Sequence, residues 1–203
     1  LRTSSAASDV YKRQDQTLAE RAALISKSDL ITDMVGEFAD LQGIMGRYYA
    51  IADGEHPDVA EAQLEQYLPR FSGDDIPATA VGATLAISDE LDTIVGIFSI
   101  GQQPSGSRDP FALRRASLGV LRILINRAID LDLNDAINIA GNQLKLDSKA
   151  LELIRKQVLA YVLERFKSWY KEEGLSPEIF LSVAALDLSN PLDIDSRVKA
   201  VSR

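Results

Sequence analysis

Apolar residues recur every three or four positions along most of this 203-residue chain, which is the spacing of an amphipathic helix. Residues 151–173 show the spacing most clearly. The apolar positions there are Leu153, Ile154, Val158, Tyr161, Val162, Phe166 and Trp169. No stretch alternates between apolar and polar residues for long, as a half-buried strand does. The pattern therefore predicts an all-α protein.

Two segments nearer the start show helical stripes of the same kind. The first stripe is Leu30, Met34 and Phe38, and the second is Ile44, Tyr48 and Ile51. Gly43 and Gly46 are three residues apart, which predicts a close approach between the second helix and its neighbour. Further on, residues 80–98 form a long apolar helix, and Val59, Leu64 and Tyr67 are predicted to face inward from a short one.

Capping residues predict where several helices begin and end. A side-chain oxygen at the N-cap accepts a hydrogen bond from a free first-turn N–H, proline suits the first helical position, and glycine suits the end. The predicted starts are Thr17 with Glu20, Asp109 with Pro110, and Ser176 with Pro177. The predicted stops are Gly54, Gly174 and the pair Asn190-Pro191. A last helix is expected from Asp195 onward.

The helix predicted from Asp109 to about Arg127 carries the densest positive charge. Residues 108–127 hold five arginines and a single acid. Arg115 and Arg122 share one face, since seven residues make almost two full turns. Arg114 falls among leucines instead. Its stem either lies along the edge of the core with the head in water, or its planar guanidinium is aimed at a phosphate or carboxylate.

Composition limits the function classes. The formal net charge is −8, so bulk attraction does not bring this protein to nucleic acid and a local basic patch is needed. The arginine-rich helix is the best candidate for that patch. Cysteine is absent, which excludes disulfides and thiolate metal sites. No apolar run approaches the ~18 residues of a membrane span.

Metal-dependent hydrolysis finds little support in the residues. All-α HD phosphohydrolases hold a metal with an H…HD…D set, and this chain has only His56, in a polar turn where we expect it to be solvated. Four acids, Asp29, Asp33, Asp89 and Asp92, would suit Mg²⁺. Pairing with arginines or capping helices is the alternative that we favour for them.

Five motifs together resemble the β subunit of the bacterial heterotetrameric glycyl-tRNA synthetase. They are KSDLITDMVGEF at 27–38, LQGIMGRYYA at 41–50, YLPRF at 67–71, SDELDTIVGIF at 88–98 and PSGSRDPFALRR at 104–115. The last motif is the most specific. The similarity extends over residues 15–203.

The resemblance implies a division of labour. In that family the α subunit forms glycyl-adenylate with ATP and Mg²⁺, and the β subunit binds the tRNA. This chain would then be a non-catalytic fragment, needing no cofactor of its own, of a cytoplasmic ligase. Its implied partners are glycine tRNA, the α subunit and a second β subunit, with no membrane. Arg108, Arg114, Arg115 and Arg122 are the candidate tRNA contacts, and Trp169 and Tyr170 are conceivable platforms for anticodon bases, although Trp169 fits its own apolar face better.

The resemblance also implies a domain order. Residues 15–145 correspond to a degenerate HD-like helical domain, and residues 146–203 to the truncated start of a DALR-type anticodon-binding domain. Ser28 and Asp29 stand where an active HD enzyme has its His-Asp pair, and Asp89 or Asp92 stands near the last Asp. Residues 1–14 resemble a translated sequencing adapter, and we expect this assembly scar to be disordered. Two alternatives stay open: a helical scaffold whose arginines only pair within or between subunits, and an HD-type metal phosphohydrolase.

Overall fold

The computed structural model describes residues 15–106 and 108–202. Regular structure within these ranges is helical, without a strand, which confirms the all-α prediction. The predicted assembly scar, residues 1–14, lies outside the described residues. In chain order the helices are α1 (15–24), α2 (Asp33–Glu37), α3 (Ile44–Ala52), α4 (Pro57–Glu65), α5 (Ala80–Ser99), α6 (Leu113–Asn126), α7 (Leu133–Gln143), α8 (Ser148–Glu172), α9 (Pro177–Ala184) and α10 (Pro191–Val201). Short 3₁₀ turns occupy Ser28–Ile31 and Ala39–Leu41.

The chain divides into two compact units, residues 1–87 and 88–203. In the first unit, α3 packs against α4. Most of the core there consists of small or β-branched side chains, which allow helices to approach closely. The buried cluster is Ala22, Val59, Ala62, Val81 and Leu85, with Leu18, Ala19 and Ile25 packed around it. The predicted inward position of Val59 is confirmed.

A buried carboxylate organises the start of α5 in the first unit. Glu65, at the end of α4, accepts hydrogen bonds from the backbone N–H of Ala78 at 2.6 Å and of Thr79 at 3.2 Å. The Thr79 hydroxyl in turn accepts from the N–H of Gly82 at 2.9 Å. These bonds satisfy donors that a helix N-terminus leaves free, and the negative charge also suits the positive end of the helix dipole.

The second unit is built around α8, which packs against α6, α7 and α9. The predicted apolar stripe of α8 is largely confirmed, because Ile154, Val158, Val162 and Phe166 are buried, whereas Leu153 is exposed. Phe166 stacks on Tyr170 with ring centroids 5.5 Å apart. This aromatic packing extends to α9 through Phe180, which lies 6.2 Å from Phe166.

Several predicted helix ends are confirmed. Ser176 caps α9 with Pro177 at its first position, and Gly54 and Gly174 take the positive φ angles expected after a helix. Asn190 and Pro191 do more than interrupt the chain. They form the N-cap and first residue of α10, so this helix begins four residues before the predicted Asp195.

Two predicted helix starts are wrong. The backbone is already helical at residue 15, so Thr17 lies inside α1 and does not cap it. Helix α6 begins at Leu113 after an N-cap at Ala112, not at Asp109. Asp109 still performs the capping chemistry from a distance. Its two carboxylate oxygens accept from the N–H groups of Leu113 at 2.9 Å and Arg114 at 3.0 Å.

The two apolar stripes of the first unit face solvent for the most part, although Ile44 is half-buried. Leu30, Met34 and Phe38 are all exposed, and so are Tyr48 and Ile51. Smaller or polar neighbours occupy the interior instead: Asp29, Val35, Gly46 and Ala50. Helical spacing identifies a face but does not say which side of the helix the core takes.

The predicted domain boundary at residue 145 separates α7 from α8. These two helices pack together within the second unit, where a Cβ placed on Gly141 would lie 2.3 Å from Leu151 Cδ1. The division of the chain into compact units falls between residues 87 and 88. The assignment of 15–145 to an HD-like domain and of 146–203 to an anticodon-binding domain stays a prediction. None of the helices described in 15–106 and 108–202 is long and apolar enough to cross a membrane.

Candidate functional site

The loop before α6 has a defined shape. Ser105 and Arg108 exchange two backbone hydrogen bonds, of 3.1 Å and 2.9 Å, in an isolated antiparallel bridge. The guanidinium of Arg114 donates to the carbonyl oxygen of Gly106. Together with the capping bonds of Asp109, these contacts tie the described residues of the loop to the first turn of α6 and constrain the backbone at Arg108.

The four candidate arginines have different surroundings. Arg108 and Arg115 are exposed, while Arg114 and Arg122 are half-buried. Arg115 and Arg122 lie two turns apart, about 10 Å along the helix axis. Arg114 is half-buried and its guanidinium donates to a loop carbonyl, an arrangement that neither of the two predicted alternatives included. The exposed arginines at this end of the second unit are therefore Arg108 and Arg115.

Asp29 is a structural residue in the first unit. It is buried, and its carboxylate accepts a 2.6 Å hydrogen bond from the N–H of Gly43, the residue that precedes α3. Gly46 faces the same carboxylate, and a Cβ on it would lie 3.3 Å from Asp29 Oδ2. A Cβ placed on Gly43 would lie even closer to its neighbour, 2.7 Å from Tyr67 Cδ2. The close approach predicted from the two glycines is confirmed.

Ser28 is exposed and lines a cavity of about 240 Å³ in the first unit. Arg21 and Glu55 form an ion pair at this cavity. The hydrogen bonds from Arg21 lower the pKa of the Glu55 carboxyl. Sequence reasoning missed this pair because its members are 34 residues apart and no local pattern joins them. His56 is also more than a solvated turn residue: its Nδ1 accepts from the N–H of Asp58 at 3.2 Å and caps α4.

Asp89 and Asp92 lie on α5 within the second unit, half-buried and exposed respectively. Ser28 and Asp29 belong to the first unit. Across the described part of the chain, no three His, Asp or Glu side chains gather closely enough to hold a metal ion. The assignment of these four residues to a degenerate HD site stays a prediction.

The aromatic residues of α8 are engaged inside the second unit. Tyr170 is buried and donates to Asp195 at 2.9 Å, and burial raises the pKa of its hydroxyl. Trp169 is half-buried, stacks on Phe166 and donates from Nε1 to Glu173 at 2.6 Å. Tyr170 is thus unsuited to stacking on a base, and Trp169 packs against the core as its helical position indicated.

Fold and geometry define an all-α protein with exposed arginines at the start of α6 and in the hydrogen-bonded loop before it. A family model described as glycyl-tRNA synthetase beta subunit matches residues 1–185. That range includes residues 1–14, the predicted assembly scar. The chain belongs to the glycyl-tRNA synthetase beta subunit family.

Curated relatives agree with this family. Proteins named glycine–tRNA ligase beta subunit from Marinobacter nauticus and Chromohalobacter salexigens are 54% and 52% identical to the chain over 187 residues. One from Pseudomonas fluorescens is 54% identical over 183 residues. The alignments cover 90–92% of this chain and 27% of each relative. The chain therefore spans about a quarter of the length of the curated relatives it matches.

Proposed function

We propose that this chain is a tRNA-contacting part of a glycyl-tRNA synthetase β subunit and is itself non-catalytic. In this proposal an α subunit forms glycyl-adenylate with ATP and Mg²⁺, and two α and two β subunits form a cytoplasmic heterotetramer. The exposure of Arg108 and Arg115, one on each side of the Asp109 cap, carries the proposal. It is supported by the family to which the chain belongs.

Phosphate binding is the chemistry that these two residues suit. Guanidinium groups bind phosphate oxygens through two parallel hydrogen bonds. The stretch 108–127 carries a single acid, Asp109, whose carboxylate is engaged by backbone N–H groups. The local charge is therefore positive although the whole chain is acidic. RNA shape and 2′-hydroxyl contacts, rather than reading of the deep major groove, would then provide selectivity.

Arg114 supports a second role, that of a scaffold. Its guanidinium binds the Gly106 carbonyl, so removing it should loosen the loop that carries Arg108. Loss of RNA affinity in Arg114→Ala would then come from lost loop order, with a lower melting temperature. Arg122 is half-buried, and we expect its RNA contribution to be smaller than that of Arg115.

The test is binding of glycine tRNA to the 203-residue chain over a salt series. Arg108→Ala combined with Arg115→Ala should weaken binding about tenfold at low salt and reduce the salt slope by about 1.4–1.8, as expected for two lost phosphate contacts. The melting temperature should not change. Arg197→Ala is the matched control, because Arg197 is a half-exposed arginine of the same unit that is paired with Asp193.

Equal RNA affinity of the double variant and the Arg197→Ala control would refute the proposed contact and leave the scaffold role. A non-cognate tRNA measured in parallel shows whether this part of the subunit discriminates. Cognate preference lost in the double variant would assign discrimination to this surface. Equal binding of both tRNAs would mean that the arginines contact only the phosphate backbone.

A further inference from the structure

The cavity of about 240 Å³ in the first unit is lined by charged groups and hydroxyl groups together. Gly46 and Ala50, one turn apart on α3, both line it. Neither has a side chain larger than a methyl group, so this face of the helix leaves space. The polar residues around that space come from α1, the 3₁₀ turn, α3 and the turn after α3: Arg21, Ser28, Tyr49, Asp53 and Glu55.

The ion pair of Arg21 with Glu55 leaves one nitrogen of the guanidinium available. Nε of Arg21 donates to the two carboxylate oxygens of Glu55 at 3.1 Å and 3.0 Å, and Nη2 donates to one of them. Because the hydrogen bonds from Arg21 lower the pKa of the Glu55 carboxyl, both groups are charged at neutral pH. Within the described ranges, Nη1 of Arg21 has no hydrogen-bond partner, so its N–H groups can donate to a ligand.

Three more side chains at the cavity have unused hydrogen-bonding capacity. Ser28, Tyr49 and Asp53 make no side-chain hydrogen bond or ion pair among residues 15–106 and 108–202. The two hydroxyl groups can donate or accept, and an aspartate carboxylate can only accept. Since the charges of Arg21 and Glu55 compensate each other, the lining keeps the single negative charge of Asp53.

These groups together suit a small ligand that carries both charges. A carboxylate is complementary to the N–H groups of Arg21 and to a hydroxyl group, and an ammonium group is complementary to Asp53. A phosphate would be repelled by the negative lining. Drug-sized ligands occupy about 300–1,000 Å³, so this cavity takes a smaller molecule, in which the two charges have to lie close together.

We propose that this cavity binds a small α-amino acid in its zwitterionic form. The ligand carboxylate accepts from Arg21 Nη1 and from the hydroxyl of Ser28 or Tyr49, and the ligand ammonium donates to Asp53. Arg21 and Asp53 are exposed, so water competes for both, and we expect a dissociation constant on the order of 1 mM. The proposal uses residues of the first unit alone and is independent of the RNA contact proposed for the second unit.

The experiment is a titration of the ¹⁵N-labelled 203-residue chain, followed by NMR. Glycine and alanine are the probes, and two analogues of glycine each lack one charge: glycinamide has no carboxylate, and N-acetylglycine has no ammonium group. Glycine and alanine should shift the amide signals of Ser28, Ala50 and Asp53. Each analogue should bind at least about tenfold more weakly, because it loses a charge-assisted hydrogen bond.

Substitution of Asp53 tests the ammonium end of the site. Asp53→Asn should weaken glycine binding about tenfold, and the melting temperature should stay within ~2 °C because this side chain is exposed. Asp75→Asn is the matched control, since Asp75 is an exposed aspartate of the same unit that does not line the cavity. This control should bind glycine as the unmodified chain does.

Unchanged amide signals at about 50 mM glycine, well above the expected dissociation constant, would overturn the proposal. Equal binding of glycine and N-acetylglycine would also overturn it, because the cavity would then recognise only an anion. Equal binding of glycine and glycinamide would do the same by showing that an amine is sufficient. Equal glycine affinity of the Asp53→Asn and Asp75→Asn proteins would remove Asp53 from the site and contradict the proposed recognition.

Discussion

Replacing Gly82 by alanine sets two opposing effects against each other at the start of α5. Alanine is the better helix former by about 1 kcal/mol, so helix propensity alone predicts a more stable protein. The added methyl carbon, however, would lie 1.9 Å from Glu65 Oε2 and 2.7 Å from Glu65 Cβ. Those distances are far inside van der Waals contact, so the buried Glu65 side chain has to move.

The cost of that movement follows from the bonds of Glu65. Its carboxylate accepts from the N–H groups of Ala78 and Thr79, and hydrogen bonds to a charged group contribute about 1.5–3 kcal/mol each. Losing or weakening both outweighs the propensity gain, and we expect a net loss of about 2–4 kcal/mol. For a chain of this size that corresponds to a fall in melting temperature of about 5–15 °C.

Gly96→Ala is the matched control, because Gly96 lies in the same helix with nothing within 4 Å of an added Cβ. Urea and thermal unfolding at neutral pH should show Gly96→Ala stabilised by about 0.5–1 kcal/mol and Gly82→Ala destabilised. In a Glu65→Ala background, Gly82→Ala should cost little, which a double-mutant cycle measures. A Gly82→Ala protein as stable as Gly96→Ala would refute the packing argument.

Two further contacts, one in each unit, can be tested by substitution. Tyr170→Phe removes the hydrogen bond to Asp195 and should lower the free energy of unfolding in urea by about 1–2 kcal/mol. Tyr161→Phe is the control and should be nearly neutral, since the buried Tyr161 hydroxyl has no hydrogen-bond partner among the described residues. Equal losses of unfolding free energy in the two variants would contradict this reasoning. Hydrogen bonds from Arg21 lower the pKa of the Glu55 carboxyl. The stability that this ion pair contributes is therefore fully present above the unfolded-state pKa of Glu55 and is lost as the pH falls through its folded-state pKa. Glu55→Gln should therefore lower the melting temperature at pH 7, and this loss should shrink as the pH falls below the unfolded-state pKa of the carboxyl. A loss that stays the same across this pH range would rule out the ion pair as the cause.

Local sequence signals predicted the helices well where one residue decides the backbone. The positive φ of Gly54 and Gly174 and the cap formed by Ser176 and Pro177 depend only on neighbours in sequence. Asp109 shows the limit of this reasoning. Its capping chemistry was foreseen, but its carboxylate reaches four and five residues ahead, so the helix starts later than the N-cap rule places it.

Contacts between residues far apart in the chain could not be predicted from the sequence, for a different reason. Asp29 and Glu65 are buried acids whose partners, Gly43 and Thr79, lie 14 residues away. The spacing of residues along the chain gives no sign of such hydrogen bonds. From sequence alone, an acid near a helix is interpreted as a surface residue or a metal ligand. Among the candidate site residues, composition identified the arginine-rich helix. Only the structure shows that Arg114 binds the loop whereas Arg115 is exposed.

Helix α5 bears on how the protein can be dissected. The boundary between the compact units, at residues 87 and 88, falls inside this single twenty-residue helix. Val81 and Leu85 belong to the core of the first unit, while Phe98 contacts Tyr161 of the second unit with ring centroids 5.2 Å apart. Cutting the gene at this boundary would leave each product with half a helix and an exposed apolar end. Pieces meant for separate expression should each keep the whole of α5.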